Sequence, residues 1–482
     1  MTTDGGNPRA AALRVITAVM EEGELGHRAL ADELSRHPSW SGSEKAFFTR
    51  LAEGTVERCL ELDYVIGCFS RTPVRKMKPV IRGILRMGAY QLLYMDSVPD
   101  RAACSEAVKL AKKKGFTGLS GFVNGVMRAI ADGKDGRTYP PADTPEGMSV
   151  RYSMPIWIVE KWQALYGPMV TKQILEAMLT ERPLCVHMNL SRASEKEILE
   201  SLQKQGIEAK PHPYSSEALV LARAGRPGGL AAFEKGWLQV QDISSQLTSS
   251  LAVCALREAA GRQAAAEGPA QGQAVSAQET AEGPACRVVL DVCAAPGGKS
   301  IYLADAAARL GQPVRVISRD LTADKIRQIE ENKRRTGFEK MELQVRDARE
   351  LAEEERETAD VVIADLPCSG LGIMGRKKDI RYHVTPESLH SLAALQREIL
   401  QTVWQYVKPG GYLIYSTCTI NPEENEENAR WFGSHFPFQL RDVGEWLPAG
   451  APKTGRYLQL LPGVHDSDGF FAAVFRRTGG TG

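Results

Sequence analysis

The 482-residue chain predicts an α/β protein whose carboxyl-terminal half is a doubly wound, mostly parallel sheet, preceded by an all-helical region and a small mixed module. Three observations predict it. From Arg287 to Arg477, short β-branched apolar runs alternate with helical periodicity, the rhythm of a parallel sheet covered by helices on both faces. Three of those runs end in unusual residues: Leu290-Asp291-Val292-Cys293-Ala294-Ala295-Pro296-Gly297-Gly298-Lys299, Ala364-Asp365-Leu366-Pro367-Cys368-Ser369-Gly370 and Tyr415-Ser416-Thr417-Cys418-Thr419. The carboxyl ends of such strands share one crevice where ligands bind, so a loop of small residues, an Asp and two thiols are aimed at one place.

The amino-terminal region, 1–140, reads as helical. Ala11, Val15 and Val19 fall at helical spacing, as do the apolar residues of Val80 to Met87, and Ile81 to Met95 is apolar enough for a central helix. Breaks are expected at His37-Pro38, Thr72-Pro73 and Val98-Pro99, where proline ends a helix or starts one at its first turn. Net charge over the whole chain is only +1, but residues 64–128 hold twelve Lys or Arg against Asp96, Asp100 and Glu106, a local excess of +9. Such a patch suits a phosphate backbone, and a solvated helix face is the equal alternative.

A compact α/β module is expected at 141–236. Trp157–Tyr166 and Val170–Leu179 suggest two helices parted by Gly167-Pro168, and Cys185–Leu190 and Ala218–Leu221 suggest strands. A helix at 194–205 carries the capping pattern of Ser194 with Glu197. The third region, 237–482, contains a helix at 243–256 and strands at 287–292, 314–317, 342–345, 360–364, 411–415 and 470–475. Its remaining helices are expected near 299–310, 323–335, 387–407 and 424–433. Residues 258–285 hold ten Ala and no aromatic residue, too little apolar surface to offset ordering entropy, and are expected to form a flexible loop.

Composition narrows the function. Apolar and charged fractions of 43% and 25% are those of a globular protein, and no apolar run reaches the roughly 18 residues of a membrane span. The polar start at Met1 lacks a secretory pattern, and nine cysteines without CxxC pairs suit a reducing cytoplasm rather than a disulfide framework or a metal site. Cys293 stands where a P-loop requires glycine, and Gly297 beside Gly298 breaks a dinucleotide fingerprint. What remains is a strand-to-helix turn that lets a nucleoside and amino-acid moiety lie against backbone.

These motifs, in this order, resemble the RNA (cytosine-5) methyltransferases that use S-adenosylmethionine. The resemblance rests on Asp291 with Cys293–Lys299, Asp320, Asp347, the Asp-x-Pro-Cys at 365–368 and the Thr-Cys at 417–418, and covers about residues 237–477. Residues 8–132, through Val98–Lys112 and Gly121–Arg128, resemble the NusB fold, an RNA-binding helical bundle. The whole chain is similar to the Sun or RsmB type of bacterial enzyme. This implies a Rossmann-like methyltransferase domain, a NusB-like bundle and a ferredoxin-like middle module, with a final antiparallel strand pair that 468–475 suits. It also implies a small-subunit ribosomal RNA substrate, at cytosine 967 of the 16S molecule.

The resemblance implies cofactor contacts from Cys293, Ala294, Ala295, Pro296, Gly297, Gly298, Lys299, Asp320 (ribose), Asp347 (adenine) and Asp365. A carbon target explains the thiols, because cytosine C5 becomes nucleophilic only after a thiolate adds at C6. DNA enzymes use the Pro-Cys cysteine, which nominates Cys368, and the chemistry alone leaves the choice open. The resemblance assigns Cys418 as nucleophile, Cys368 to product release and Asp365 to cytosine N3. Arg376, Lys377, Lys378 and Arg381 are expected to contact RNA phosphates, although Lys378 stands where the family has proline. Asn421-Pro422 is expected to start a helix. No metal and no membrane are expected, and the residues name no protein partner. Competing readings are a non-enzymatic antitermination factor, a methyltransferase of another RNA, and a DNA cytosine-5 enzyme.

Overall fold

The computed structural model describes residues 6–225, 227–266, 286–311 and 313–479. The chain divides into two compact units, one comprising 1–180 with 374–384, the other 181–373 with 385–482.

The first unit is helical: α1 (Pro8–Glu21), α2 (Gly26–Ser35), α3 (Gly42–Glu57), α4 (Cys59–Phe69), α5 (Pro79–Tyr94), α6 (Asp100–Lys113) and α7 (Ser120–Gly133). Proline occupies the first turn of α1 and α5, and Ser41 with Glu44 forms a capping box at α3. The expected central helix is α5, whose Ile81, Ile84, Leu85, Met87 and Ala89 are at most 1% exposed. Burial on that scale contributes about 1.5–3 kcal/mol per large aliphatic side chain. α8 (Pro145–Arg151) and α9 (Ile156–Leu179) group with this bundle rather than with the mixed module. Ser153 holds them there, its Oγ accepting from the Leu60 amide at 2.9 Å. α9 bends at Gly167, whose φ of +76° and following Pro168 separate the two expected helices.

The second unit holds two sheets. The smaller has the order β2-β3-β1-β4, from β1 (Leu184–Met188), β2 (Glu208–His212), β3 (Ser215–Ala222) and β4 (Leu238–Val240), all antiparallel. α10 (Glu195–Lys204), opened by the expected Ser194–Glu197 box, and the single turn α11 (Ala231–Glu234) accompany it. The sequence reading missed β2 and β4. β2 reads Glu-Ala-Lys-Pro-His, and its proline is tolerated because the strand lies at the edge. α12 (Ile243–Ala266) runs ten residues past its expected end, into the Ala-rich stretch, because alanine favours helix. The rest of that expected loop, 267–285, lies outside the described residues.

The larger sheet has the order β10-β12-β9-β8-β5-β6-β7, with β11 also pairing β12. Its parallel strands are β5 (Arg287–Asp291), β6 (Val314–Asp320), β7 (Glu342–Val345), β8 (Ala359–Asp365) and β9 (Val407–Thr417). They alternate with α13 (Gly298–Leu310), α14 (Ala323–Thr336) and, between β8 and β9, α16 (Pro386–Val403); the short α15 (Ile380–His383) belongs to the first unit. α17 (Glu426–His435), β10 (Phe438–Arg441), β11 (Leu458–Leu460) and β12 (Phe470–Arg477) follow. β12 runs antiparallel to β9, as the resemblance implied, and β10 and β11 are additions the sequence reading did not contain.

Successive strands lie on opposite sides of β5, with β6 on one edge and β8 on the other, which makes the β5/β8 end a topological switch point. Register places Asp291 beside Ile363, and Asp365 beside Ser416. All three chemistry-bearing segments therefore leave the sheet at one end.

Candidate active site

The loop after β5 is shaped by backbone. The Ala294 amide donates to the Arg319 carbonyl at 2.8 Å, and Gly297, at φ +101°, closes the turn onto α13. A Cβ at Gly297 would lie 3.1 Å from Ile329 Cγ2, so strain and crowding both favour glycine. A cavity of about 190 Å³ opens beside the loop, lined by Cys293, Ala294, Ala295, Pro296, Gly298, Lys299, Asp291 and Asp365. Gln241, Asp242 and Ser245, at the start of α12, complete it. Sequence reasoning missed those three, since no spacing marks a strand-to-helix turn contributed by a different sheet.

Lys299 is buried and donates to Asp365 Oδ2 at 2.5 Å and to Ser245 Oγ at 2.9 Å. Asp365 Oδ1 accepts from Ser416 Oγ at 2.8 Å, which ties the ends of β8 and β9. Asp320 is 3% exposed, and its carboxylate accepts from the Ala295 amide at 2.9 Å and the Leu321 amide at 2.8 Å, with Lys325 Nζ 2.9 Å away. It is not among the lining residues, and it braces the loop from behind. Asp347 is not among the lining residues. It pairs with Arg349, and that hydrogen-bonded guanidinium holds its carboxyl below the usual range.

Asp291 lies beneath the loop with 1% exposure. Ser300 Oγ donates to its Oδ2 at 2.7 Å, while Oδ1 has no protein partner. Burial pushes its carboxyl up to about 7. Gln241 presents a second buried, unpartnered oxygen, Oε1. Cys293 lines the cavity, and burial raises its thiol.

One strand further along, Cys368 Sγ and Cys418 Sγ lie 3.2 Å apart, both half-buried. The hydrogen bond to Cys418, together with burial, holds the Cys368 thiol well above the ordinary range. Behind the pair lies Glu424, fully buried, which the sequence reading passed over as part of a helix start. Pro422–Glu424 is instead a 3-10 turn, α17 begins only at Glu426, and Asn421 turns its side chain to Glu424 rather than capping.

The basic loop differs from expectation. Residues 374–384 group with the helical unit. Asp379 accepts from the Gly26 amide at 2.9 Å, and Lys378 pairs with Glu57 at 3.2 Å. Arg381 is 0% exposed and donates to the Tyr152, Ser153 and Met374 carbonyls at 3.3 Å each, so it anchors the loop and presents no charge to solvent. Arg376 and Lys377 are exposed. Within 64–128, Arg82 and Arg86 pair with Glu21 and Asp63, acids from outside that window, which reduces the local charge excess.

Among the described residues no helix is long and apolar enough to cross a membrane, and no group of three His, Cys, Asp or Glu could hold a metal ion. The family described as 16S rRNA methyltransferase RsmB/F matches residues 282–476, the NusB family residues 6–132, and the ferredoxin-like domain of RsmF/B-like methyltransferases residues 154–226. The probable ribosomal RNA small subunit methyltransferase B of Bacillus subtilis is 32% identical over 470 residues, covering 95% of this chain and 96% of its own. The chain belongs to the ribosomal RNA small subunit methyltransferase B family.

The Cronobacter sakazakii ribosomal RNA small subunit methyltransferase B is 30% identical over 97% of this chain and 98% of its own. A crystal structure of PH0851 shares the fold with a TM-score of 0.75 at 21% identity, over 98% of this chain and 99% of that one. NSun6 from Pyrococcus horikoshii with SFG shares it at 0.54 and 19%, over 68% of this chain and 99% of that one. The family consists of S-adenosylmethionine-dependent rRNA methyltransferases, and the three-part architecture of NusB-like bundle, ferredoxin-like module and Rossmann-like sheet is present here.

Proposed function

We propose that the chain methylates C5 of a cytosine in small-subunit ribosomal RNA, at position 967 of the 16S molecule, through a covalent bond from Cys418 to C6. The carrying observation is the 3.2 Å thiol pair beside Asp365, one strand away from the cofactor cavity.

The cavity residues fit S-adenosylmethionine. Small side chains from Ala294 to Gly298 admit a nucleoside close to the backbone, and the carboxylates of Asp242 and Asp365 suit a cationic amino acid, with Asp320 behind the loop as the carboxylate for a ribose. The unpartnered oxygens of Asp291 and Gln241 suit further donors. When bound, the cofactor supplies an electrophilic methyl group.

Cys418, as thiolate, adds its electron pair to C6 of the cytosine, and the ring electrons displaced towards N3 make C5 enamine-like. Asp365 holds the N3 edge, its own position fixed by Lys299 and Ser416. Once C5 carries the methyl group, its proton passes to solvent water, the C5–H electron pair forms the C5–C6 double bond, and the C6–S pair leaves with sulfur, returning Cys418 as thiolate. Cys368, held protonated by its surroundings, serves this release as a donor to the departing sulfur. Arg376, Lys377 and the exposed cations of 64–128 add sequence-independent phosphate contacts.

Bisulfite sequencing of unmodified 16S RNA incubated with the protein and S-adenosylmethionine tests the reading. One newly protected cytosine, at position 967, is the expected result. Methyl incorporation without a protected cytosine would overturn the C5 assignment.

A further inference from the structure

Glu424 is fully buried, and four donors converge on its carboxylate. The Ser369 amide donates to Oε2 at 2.8 Å, and Gln396 Nε2 donates to the same oxygen at 3.1 Å. Ser369 Oγ donates to Oε1 at 2.5 Å, and Asn421 Nδ2 donates to it at 3.2 Å. Gln396 is held in this orientation because its own Oε1 accepts from Tyr415 Oη and Asn428 Nδ2, each at 2.9 Å. With its proton committed to Glu424, Ser369 Oγ accepts from Thr419 Oγ1 at 2.7 Å.

Ser369 directly follows Cys368, and Thr419 directly follows Cys418. The residue after each thiol is therefore tied to its counterpart, and through Ser369 the chain of hydrogen bonds ends on one carboxylate. Nothing in this network is exposed, and a buried carboxylate this well satisfied is a rigid anchor. Resting on the proposed two-cysteine chemistry, we infer that Glu424 is a positioning residue which, through Ser369 and Thr419, holds the loop of Cys368 at the strand end of Cys418. It sets the distance between the sulfurs and so the efficiency of the release step.

Glutamine is a poor substitute at this place. Whichever way its amide turns, an N–H faces a donor, the Ser369 and Gln396 N–H groups on one edge or that of Asn421 on the other. Glu424→Gln should loosen the clamp, and Ser369→Ala should cut only the hydroxyl relay, as a milder variant that keeps the fold if the first does not.

Two measurements on the full-length protein test this. Diamide oxidises two adjacent thiols to a disulfide, taking up their two protons and two electrons to become the hydrazine. Peptide mapping should find the Cys368–Cys418 link in the unaltered protein, forming at least tenfold faster than in either variant. Equal rates overturn the clamp, and so does absence of the link in the unaltered protein, since the sulfurs are then not held together.

The second measurement is turnover on 16S RNA. Both variants should lower kcat at least tenfold while KM for RNA and the Kd for S-adenosylmethionine stay within twofold. Placed on a Cys368→Ala background, neither should lower kcat further, because the clamp acts through Cys368. Additive losses, or a loss confined to KM, overturn the assignment. If the unaltered protein methylates no RNA, the functional reading fails, while the oxidation rates still judge the clamp.

Discussion

The two halves of the site are one strand apart and built on opposite physical plans. The cofactor half is a set of charge pairs around a cavity, with Lys299 on Asp365, Lys325 on Asp320 and a lone oxygen of Asp291 beneath. The thiol half is braced by neutral donors converging on the single buried carboxylate of Glu424. The difference follows from the tasks. A cavity that admits a charged ligand holds its charges in pairs that can exchange partners with that ligand. A pair of sulfurs that must remain in register needs short, dry hydrogen bonds that have no competing solvent.

The largest expected effect separates the cysteines themselves. Cys418→Ala should lower turnover by about 10⁴-fold or more and abolish any covalent RNA adduct, as loss of a covalent nucleophile does. Cys368→Ala should still form the adduct and accumulate it, visible on denaturing gels. An adduct that survives in Cys418→Ala and vanishes in Cys368→Ala would exchange the two roles and with them the meaning of the thiol half.

Next comes pH, which probes the cofactor half. The Asp291 carboxyl moves from 3.8 up to about 7 in the fold, so between those values the folded chain retains a proton that the unfolded chain has released. Stability from this group is complete below the lower value and is lost as pH rises through about 7, by up to a few kcal/mol at ~1.4 kcal/mol per pKa unit. Urea unfolding at pH 5 and pH 8 should show Asp291→Asn losing less stability than the unaltered protein. Equal losses would mean that Asp291 is ionised throughout, and that the cofactor half tolerates buried charge better than its geometry implies.

Asp320→Ala should weaken S-adenosylmethionine by about 1.5–3 kcal/mol, the range of hydrogen bonds to charged groups, through loss of the brace on the Ala295 amide and of the proposed ribose contact. Calorimetry checks that loss, and in the same variant the rate of Cys368–Cys418 oxidation by diamide should be unchanged. A change there would join the halves that the hydrogen bonds keep apart.

The smallest effect concerns the loop at 374–384. Lys377→Ala should leave thermal stability unaltered and reduce the salt slope of RNA binding by about 1. Arg381→Met should lower stability instead, because three carbonyls lose their buried donor. Fluorescence titrations across salt concentrations, with melting curves beside them, distinguish the two arginine-and-lysine environments within one loop.

Residue order alone determined the parallel core and the content of its carboxyl-terminal edge. Strand-forming runs at 287–292, 360–364 and 411–415 are short-range features, and the residues that follow each run must leave the sheet at the same end whenever the strands are parallel. The loop of small residues, Asp365 and both cysteines were legible for that reason. Tertiary structure alone decided what stands behind them. Glu424 lies 55 residues from Ser369, and Gln241 reaches the cavity from the end of a strand in another sheet, so neither contact leaves a periodicity or a spacing to read. Arg381 shows the same limit from the other side. A basic run reads as a solvated charge until the fold supplies the carbonyls of Tyr152 and Ser153, more than two hundred residues away in sequence, and turns a cation into an anchor.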